Sequence, residues 1–356
     1  MALVNRRKEK VFLKVGFVYD PVYLKHDTGH HPENAKRLET IISHLEQTGL
    51  KQQLTPIEPR AASIEELSLV HDEQYISYIR DVARRGGGWL DADTGMSADS
   101  YEAALYAAGG VIRATETVMS GEVDSAFALV RPPGHHAVYK RAMGFCLFNN
   151  VAIATKYALV NYKLERILIV DFDVHHGNGT QAAFYDNPHV LYISAHEYPF
   201  YPGTGSIEET GSGEAEGTTI NIPLPAYSGD TEYPEVFEQI IVPAAIRFKP
   251  QLVLVSAGYD AHWADELALM QVSVTGFTQM VKIIKGLGDE LCNGRLVFSL
   301  EGGYNLTALA ASIKATFDVL LGNTAVEDPL GQPSRRFEVS GMAPLIEKIK
   351  EIHSLP

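Results

Sequence analysis

Hydrophobic and polar positions follow two rhythms along this chain. Short apolar runs recur at Val15–Tyr19, Ala126–Val130, Ile167–Val170, Val190–Ile193, Leu252–Val255 and Leu296–Leu300. Runs of this length without polar alternation predict strands buried on both faces, as in a parallel sheet. Between them the apolar residues fall at helical spacing. That spacing predicts helices over Asn34–Gln47, Ser100–Met119, Asn150–Val160, Tyr233–Phe248, Ser273–Leu287 and Thr307–Leu321, and a short one near Leu345–Ile352. The stretch Tyr198–Gly217 is rich in Gly, Pro and Glu and reads as a long loop. Strands alternating with helices predict an α/β fold, a parallel sheet covered on both faces. No low-complexity linker or internal repeat divides the chain. One domain over residues 1–356 is the simplest expectation, with a core of about 15–322 and a less regular tail of about 323–356.

Composition agrees with a folded chain. Of 356 residues, 46% are hydrophobic and 21% charged, enough apolar surface for a large core. Acidic residues outnumber basic ones, 44 to 30, for a net charge of -14. Direct nucleic-acid binding is therefore not expected, since such binders carry a basic footprint. An acidic surface serves solubility and suits a basic substrate. The two cysteines, Cys146 and Cys292, form no CxxC pair and no disulfide framework. A reducing compartment fits, and the cytoplasm is the expected location. The basic start, Met1–Lys10, is followed by apolar residues that Lys14 interrupts, so no signal peptide is read. No apolar stretch is long enough for a membrane span.

The chemistry lies just after the strands. Ala126–Val130 is followed by Arg131-Pro-Pro-Gly-His135-His136, and Ile167–Val170 by Asp171-Phe-Asp173-Val-His175-His176-Gly-Asn178. Leu252–Val255 leads to Ser256-Ala-Gly-Tyr-Asp260, and Leu296–Leu300 to Glu301-Gly-Gly-Tyr304. Parallel α/β sheets bind ligands outside the carboxyl ends of their strands, so these four polar clusters should converge. In extended chain Asp171, Asp173 and His175 point to one side. Two of them, Asp173 and His175, with Asp260 as third, make an N/O ligand set suited to a single catalytic zinc. His135 and His136 are candidate general acid and base. Asp171 and Asn178 are available to fix their tautomers. Tyr304, after a glycine pair, is a candidate oxyanion donor.

Taken together these stretches resemble the histone deacetylase branch of the arginase/deacetylase superfamily. The matching motifs are RPPGHHA (131–137), GFCLFN (144–149), DFDVHHGNGTQ (171–181), YPGTG (201–205), GTTINIPL (217–224), AGYD (257–260) and EGGY (301–304), with GHHPEN (29–34) and Arg37 near the start. The resemblance spans about residues 15–320. It implies one α/β domain around an eight-stranded parallel sheet, and zinc ligands at Asp173, His175 and Asp260. It implies His135 oriented by Asp171 and His136 by Asn178, a position where many nuclear-type relatives carry Asp. Tyr304 takes the place of the carbonyl-polarising tyrosine.

Phe145 and Tyr201 correspond to the aromatic walls of an acyl-lysine tunnel, with Gly144 close to the substrate. Leu267 corresponds to a rim residue, with Glu266 beside it where Pro is common, and Asp93 to a rim aspartate. The resemblance further implies a structural potassium ion held by Asp171, Asp173, His175 and Ser194, partly through backbone oxygens. A second such site would lie around Phe184, Asn187 and Val190. Oxygen-rich sites of this kind suit a hard cation.

The expected function is zinc-dependent hydrolysis of acetyl-lysine or a related acylated amine, with acetylpolyamines as an alternative substrate. Two other readings stand beside it. One is a binuclear manganese hydrolase of the same fold, which would need ligands beyond His176 and His262. The other is a non-catalytic module that binds an acylated ligand. Oligomeric state cannot be read from the sequence.

Overall fold

The computed structural model of the protein describes residues 13–356. The basic stretch 1–10 lies outside the described residues.

Ten strands form in chain order: β1 (Val15–Val18), β2 (Thr55–Ile57), β3 (Gly87–Trp89), β4 (Gly95–Ser97), β5 (Ser125–Ala128), β6 (Ile167–Asp171), β7 (Val190–Glu197), β8 (Thr219–Leu224), β9 (Leu252–Ala257) and β10 (Leu296–Leu300). Eight of them build one sheet in the order β2-β1-β5-β10-β9-β6-β7-β8, with every pairing parallel. β3 and β4 form a separate antiparallel hairpin. The central strands are buried along their whole length, which is why they read as unbroken Val/Leu/Ile runs.

The two outermost strands, β2 and β8, were not among the predicted runs. β2 is a three-residue Thr-Pro-Ile strand, and β8 alternates apolar with polar residues. Each contains a proline, Pro56 or Pro223, tolerated because an edge strand has one side free of ladder bonds. β7 runs four residues past its predicted end at Ile193. Ser194, Ala195, His196 and Glu197 stay in the sheet because β8 continues to pair with them.

The main helices are α1 (Lys36–Gln47), α2 (Ile64–Leu67), α3 (Glu73–Arg84), α4 (Ser100–Ser120), α5 (Asn150–Tyr162), α6 (Asn178–Phe184), α7 (Glu232–Val236), α8 (Val242–Phe248), α9 (Val274–Leu291), α10 (Leu306–Leu320) and α11 (Met342–His353). Side-chain caps set several starts: Asn149 for α5, Ser273 for α9 and Asn305 for α10 each accept backbone N–H bonds. The predicted helix Tyr233–Phe248 is not continuous. A π-helical turn, Phe237–Ile241, separates α7 from α8, just before Pro243. Proline has no N–H to donate, and the widened turn accommodates that loss.

Helices flank the sheet. α1, α10 and α9 pack side by side, and α4 packs on α5 and over β1, β5 and β10. Among the described residues, no helix is long and apolar enough to cross a membrane.

One close approach ties the segment after β2 to α4. Ala62 donates its N–H to the Leu105 carbonyl at 2.9 Å, and a Cβ on Gly109 would lie 1.9 Å from the Arg60 carbonyl oxygen. Backbone cannot yield as a flexible side chain can. Gly109→Ala is expected to destabilise the fold by about 1–3 kcal/mol, an overpacking cost, read as a lowered thermal midpoint; an unchanged midpoint would show that α4 can shift freely.

Candidate active site

The strand order explains how the site assembles. β5, β10, β9 and β6 are consecutive neighbours, and they are the four strands whose C-terminal ends carry the polar motifs. Their loops bring His135, His136, Asp173, His175, Gly302 and Tyr304 to one cavity of about 220 Å³. Asp93, Pro133, Gly144, Phe145, Phe200, Tyr201 and Leu267 complete its wall. All five residues expected to line a tunnel are therefore present. Phe145 sits at φ +69°, a left-handed backbone that a bulky residue rarely adopts. Thr94 Oγ1 accepts its N–H at 3.1 Å and holds it there.

At the floor, Asp173, His175 and Asp260 each offer a ligand atom, and the three atoms lie within 4.8 Å of one another. His175 Nδ1 is 3.1 Å from Asp173 Oδ1 and 3.3 Å from Asp260 Oδ2. The other carboxylate oxygens are occupied by backbone donors. Asp173 Oδ2 accepts from Gly302 N at 2.8 Å, and Asp260 Oδ1 from Val174 N at 3.1 Å. Asp260 Oδ2 is buried and, among the described residues, has no hydrogen-bond partner. A buried carboxylate oxygen left unpartnered beside a second carboxylate and an imidazole fits a divalent cation, and two O donors plus one N suit zinc. Burial opposes a charged His175 ring, but Asp173 and Asp260 outweigh it and lift the ring to about 10.

The two adjacent histidines differ in their partners. His135 Nδ1 lies 3.1 Å from Asp171 Oδ2, and His136 Nδ1 lies 2.8 Å from Asn178 Oδ1. Burial works against a charged His135, yet the carboxylates of Asp171 and Asp173 raise it to about 10. His136 has only a neutral amide, so burial and the neighbouring rings of His135 and His175 push it well below the ordinary value. The surroundings thus favour the charged form of one ring and the neutral form of the other. Asp171 also accepts from Tyr192 Oη at 3.1 Å, which fixes its orientation.

Tyr304 reaches the cavity from the loop after β10. Burial pushes its phenol well above the usual range, so it stays a hydrogen-bond donor. The Arg37 guanidinium lies 5.0 Å from the centre of its ring. Arg37 also donates to the Gly303 carbonyl at 2.7 Å and to the Glu301 carbonyl, locking the loop from below.

The residues expected for bound potassium are also placed. Asp171 and Ser194 are register partners on β6 and β7, close to Asp173 and His175. Phe184 ends α6, Val190 opens β7 and Asn187 lies in the turn between them, the three linked by backbone bonds. His176 and His262, the spare histidines, do not join the metal triad. His176 is bonded to Thr204 and Gln181.

Three contributors carried no assigned role in the sequence reading. Phe200 stacks on the His175 ring at 5.5 Å, and its only sequence signal is its place before Tyr201. Glu301 accepts the N–H groups of Gly134 and His135, at 2.7 and 3.2 Å, and so positions the histidine loop from β10. Asp265 accepts from the N–H groups of Tyr304, Asn305 and Leu267. No spacing pattern marks Asp265.

Comparison with known proteins places this geometry. The histone deacetylase domain model matches residues 31–320. The chain belongs to the histone deacetylase family. It is 41% identical over 351 residues to histone deacetylase 14, chloroplastic, of Arabidopsis thaliana, covering 93% of this chain and 83% of that one. It is 40% identical to a probable deacetylase of Archaeoglobus fulgidus, covering 95% of this chain and 97% of the other. The crystal structure of the HDA15 HD domain superposes with a TM-score of 0.87 at 35% identity, over 96% of this chain and 94% of that one. The sheet and flanking helices are thus the arginase/deacetylase fold, and family membership supports deacetylase activity, a hydrolytic reaction.

The family site leaves no room at Gly302. A Cβ there would lie 2.0 Å from Asp260 Oδ2 and 2.7 Å from Asp173 Oδ2. Gly302→Ala is expected to displace both carboxylates and to cut the stoichiometry of bound divalent metal, measured by elemental analysis after zinc loading. Undiminished metal binding would show that the triad is not the metal's seat.

Proposed function

We propose that the protein is a zinc-dependent deacylase that hydrolyses the amide of acetyl-lysine, or of a related acylated amine, to the free amine and a carboxylate. The observation that carries this reading is the Asp173–His175–Asp260 set at the end of an aromatic-walled cavity, beside two histidines backed one by a carboxylate and one by an amide. Zinc held there would polarise an amide carbonyl and make water more acidic.

The chain's own residues supply the rest. Phe145 and Tyr201 flank an extended acyl-amine and exclude water around it, with Phe200 backing His175. His136, kept neutral and aimed by Asn178, takes the proton from the attacking water and returns it to the leaving amine. His135, held positive by Asp171, stabilises the negative charge that develops. Tyr304 donates a hydrogen bond to the oxyanion of the tetrahedral intermediate. Gly144, Leu267 and Asp93 shape the opening. Asp171, Asp173, His175 and Ser194, and separately Phe184, Asn187 and Val190, are proposed to hold potassium through oxygen atoms behind the site. Cys146 and Cys292 are buried free thiols, which suits the cytoplasm.

A fluorogenic acetyl-lysine amide tests the reading. Hydrolysis should vanish with a chelator and return with added zinc, and Tyr304→Phe should lower kcat by about 10²–10³-fold. Full activity after chelation would defeat the zinc assignment, and full activity in the phenylalanine variant would defeat that of Tyr304.

The pH profile tests the histidine assignment. A neutral base works above its own pKa, and the low value of His136 extends activity toward acid. Asn178→Asp puts a carboxylate where the amide oxygen now lies, favours the charged ring and raises that pKa. The acid limb of kcat/KM should move to higher pH; a limb that stays in place would remove His136 as the base.

A further inference from the structure

The aromatic wall of the tunnel does not end at its mouth. Tyr304 meets Phe145 edge-on at 5.8 Å, Phe145 meets His31 edge-on at 4.4 Å, and His31 lies 6.5 Å from Trp89. Four rings thus run from the reacting end of the cavity to the surface. Trp89 is the last, and it is 66% exposed, an unusual state for the largest apolar side chain.

Its position is fixed. Trp89 pairs with Gly95 across the β3–β4 hairpin, and its ring lies over that glycine, where a Cβ would come within 3.2 Å. The hairpin turn is in turn pinned to the tunnel by the bond from Phe145 N to Thr94 Oγ1. The same turn carries Asp91 and Asp93. Asp93 lines the tunnel itself, and Asp91 Oδ1 accepts the N–H groups of Asp93 and Thr94. Glu266, exposed, adjoins the rim residue Leu267. Arg141 is the cation near Tyr201 at this mouth, and its guanidinium rests on Met143. An indole face beside carboxylates attracts a positive charge, through the ring quadrupole and through Coulomb attraction.

We propose that Trp89, with the carboxylates of Asp91 and Asp93 on the same turn, forms a subsite at the tunnel mouth that receives a positive charge carried by the substrate beyond its acyl-amine. Trp89 is then a specificity residue for the deacylase reaction, on which this inference rests. The charge is a neighbouring arginine or lysine side chain of a peptide, or the second amine of a small acylated polyamine.

The two tryptophans of the chain, Trp89 and Trp263, make a direct test available. In the full chain carrying Trp263→Phe, with Tyr304→Phe to slow turnover, Trp89 fluorescence is titrated with acetyl-lysine peptides flanked by arginine or by alanine, and with a monoacetylated diamine. The arginine-flanked peptide or the diamine should bind about two- to fivefold tighter than the neutral peptide, a range set by exposed cation–π pairs. In hydrolysis assays on the otherwise unaltered chain, the ratio of kcat/KM for charged over neutral substrates should fall toward one in Trp89→Ala and be largely kept in Trp89→Phe. The arm with the larger loss identifies the source of the charge. Equal affinities for charged and neutral ligands, or a ratio unchanged in Trp89→Ala, overturn the proposal. A selective fluorescence response without hydrolysis of any substrate would uphold the subsite and overturn the deacylase reading instead.

Discussion

Among the described residues, the carboxylates of Glu33, Asp171, Asp173, Asp260 and Glu301 are almost wholly removed from water around the ends of the central strands. Charges removed from water must be paired or hydrogen-bonded, and the loops here are arranged to meet that demand. Burial would raise Glu33, but Arg131 and His26 hold it well below the usual carboxylate range. Arg131 and Arg37, both buried, reach it from the loop after β5 and from α1. Glu301 is pushed up to about 7 by burial, and its Oε2 holds two backbone N–H groups. Asp171 takes His135 and Tyr192. What remains is the pair Asp173 and Asp260, which face His175 with one oxygen unpartnered. The cleft can hold a cation because every other acid in it is already answered by protein.

Within that frame a single atom type separates the two histidines. Their rings are neighbours, with centroids 4.0 Å apart, and share much of their surroundings. A carboxylate behind one and an amide behind the other send their protonation in opposite directions. Acid and base functions are divided by what stands behind each ring rather than by where each ring stands.

The site was more legible in the sequence than its frame. Strands buried on both faces announce themselves as apolar runs, so β6, β9 and β10 and the clusters that follow them could be read directly. The edge strands could not: β2 is short and mostly exposed, and β8, though buried, alternates polar with apolar residues, and each carries a proline. α3 was missed although its signal was present: Asp72 caps it, and Tyr75, Ile76, Ile79, Val82 and Ala83 are buried at helical spacing. The π turn before Pro243 had a visible cause but no visible extent. Asp265 and Phe200 were silent for another reason. Their importance lies in which backbone N–H or which ring they meet, and those meetings are made by the fold, not by neighbours in sequence.

Asp265 joins two parts of the site that chemistry would keep apart. One oxygen of its carboxylate holds the Leu267 N–H at the rim, and the other holds the Tyr304 N–H beside the reacting atoms. Remodelling the rim to admit a different cargo therefore tugs on the phenol that serves the reaction. In this molecule a change of taste is mechanically tied to a change of tempo.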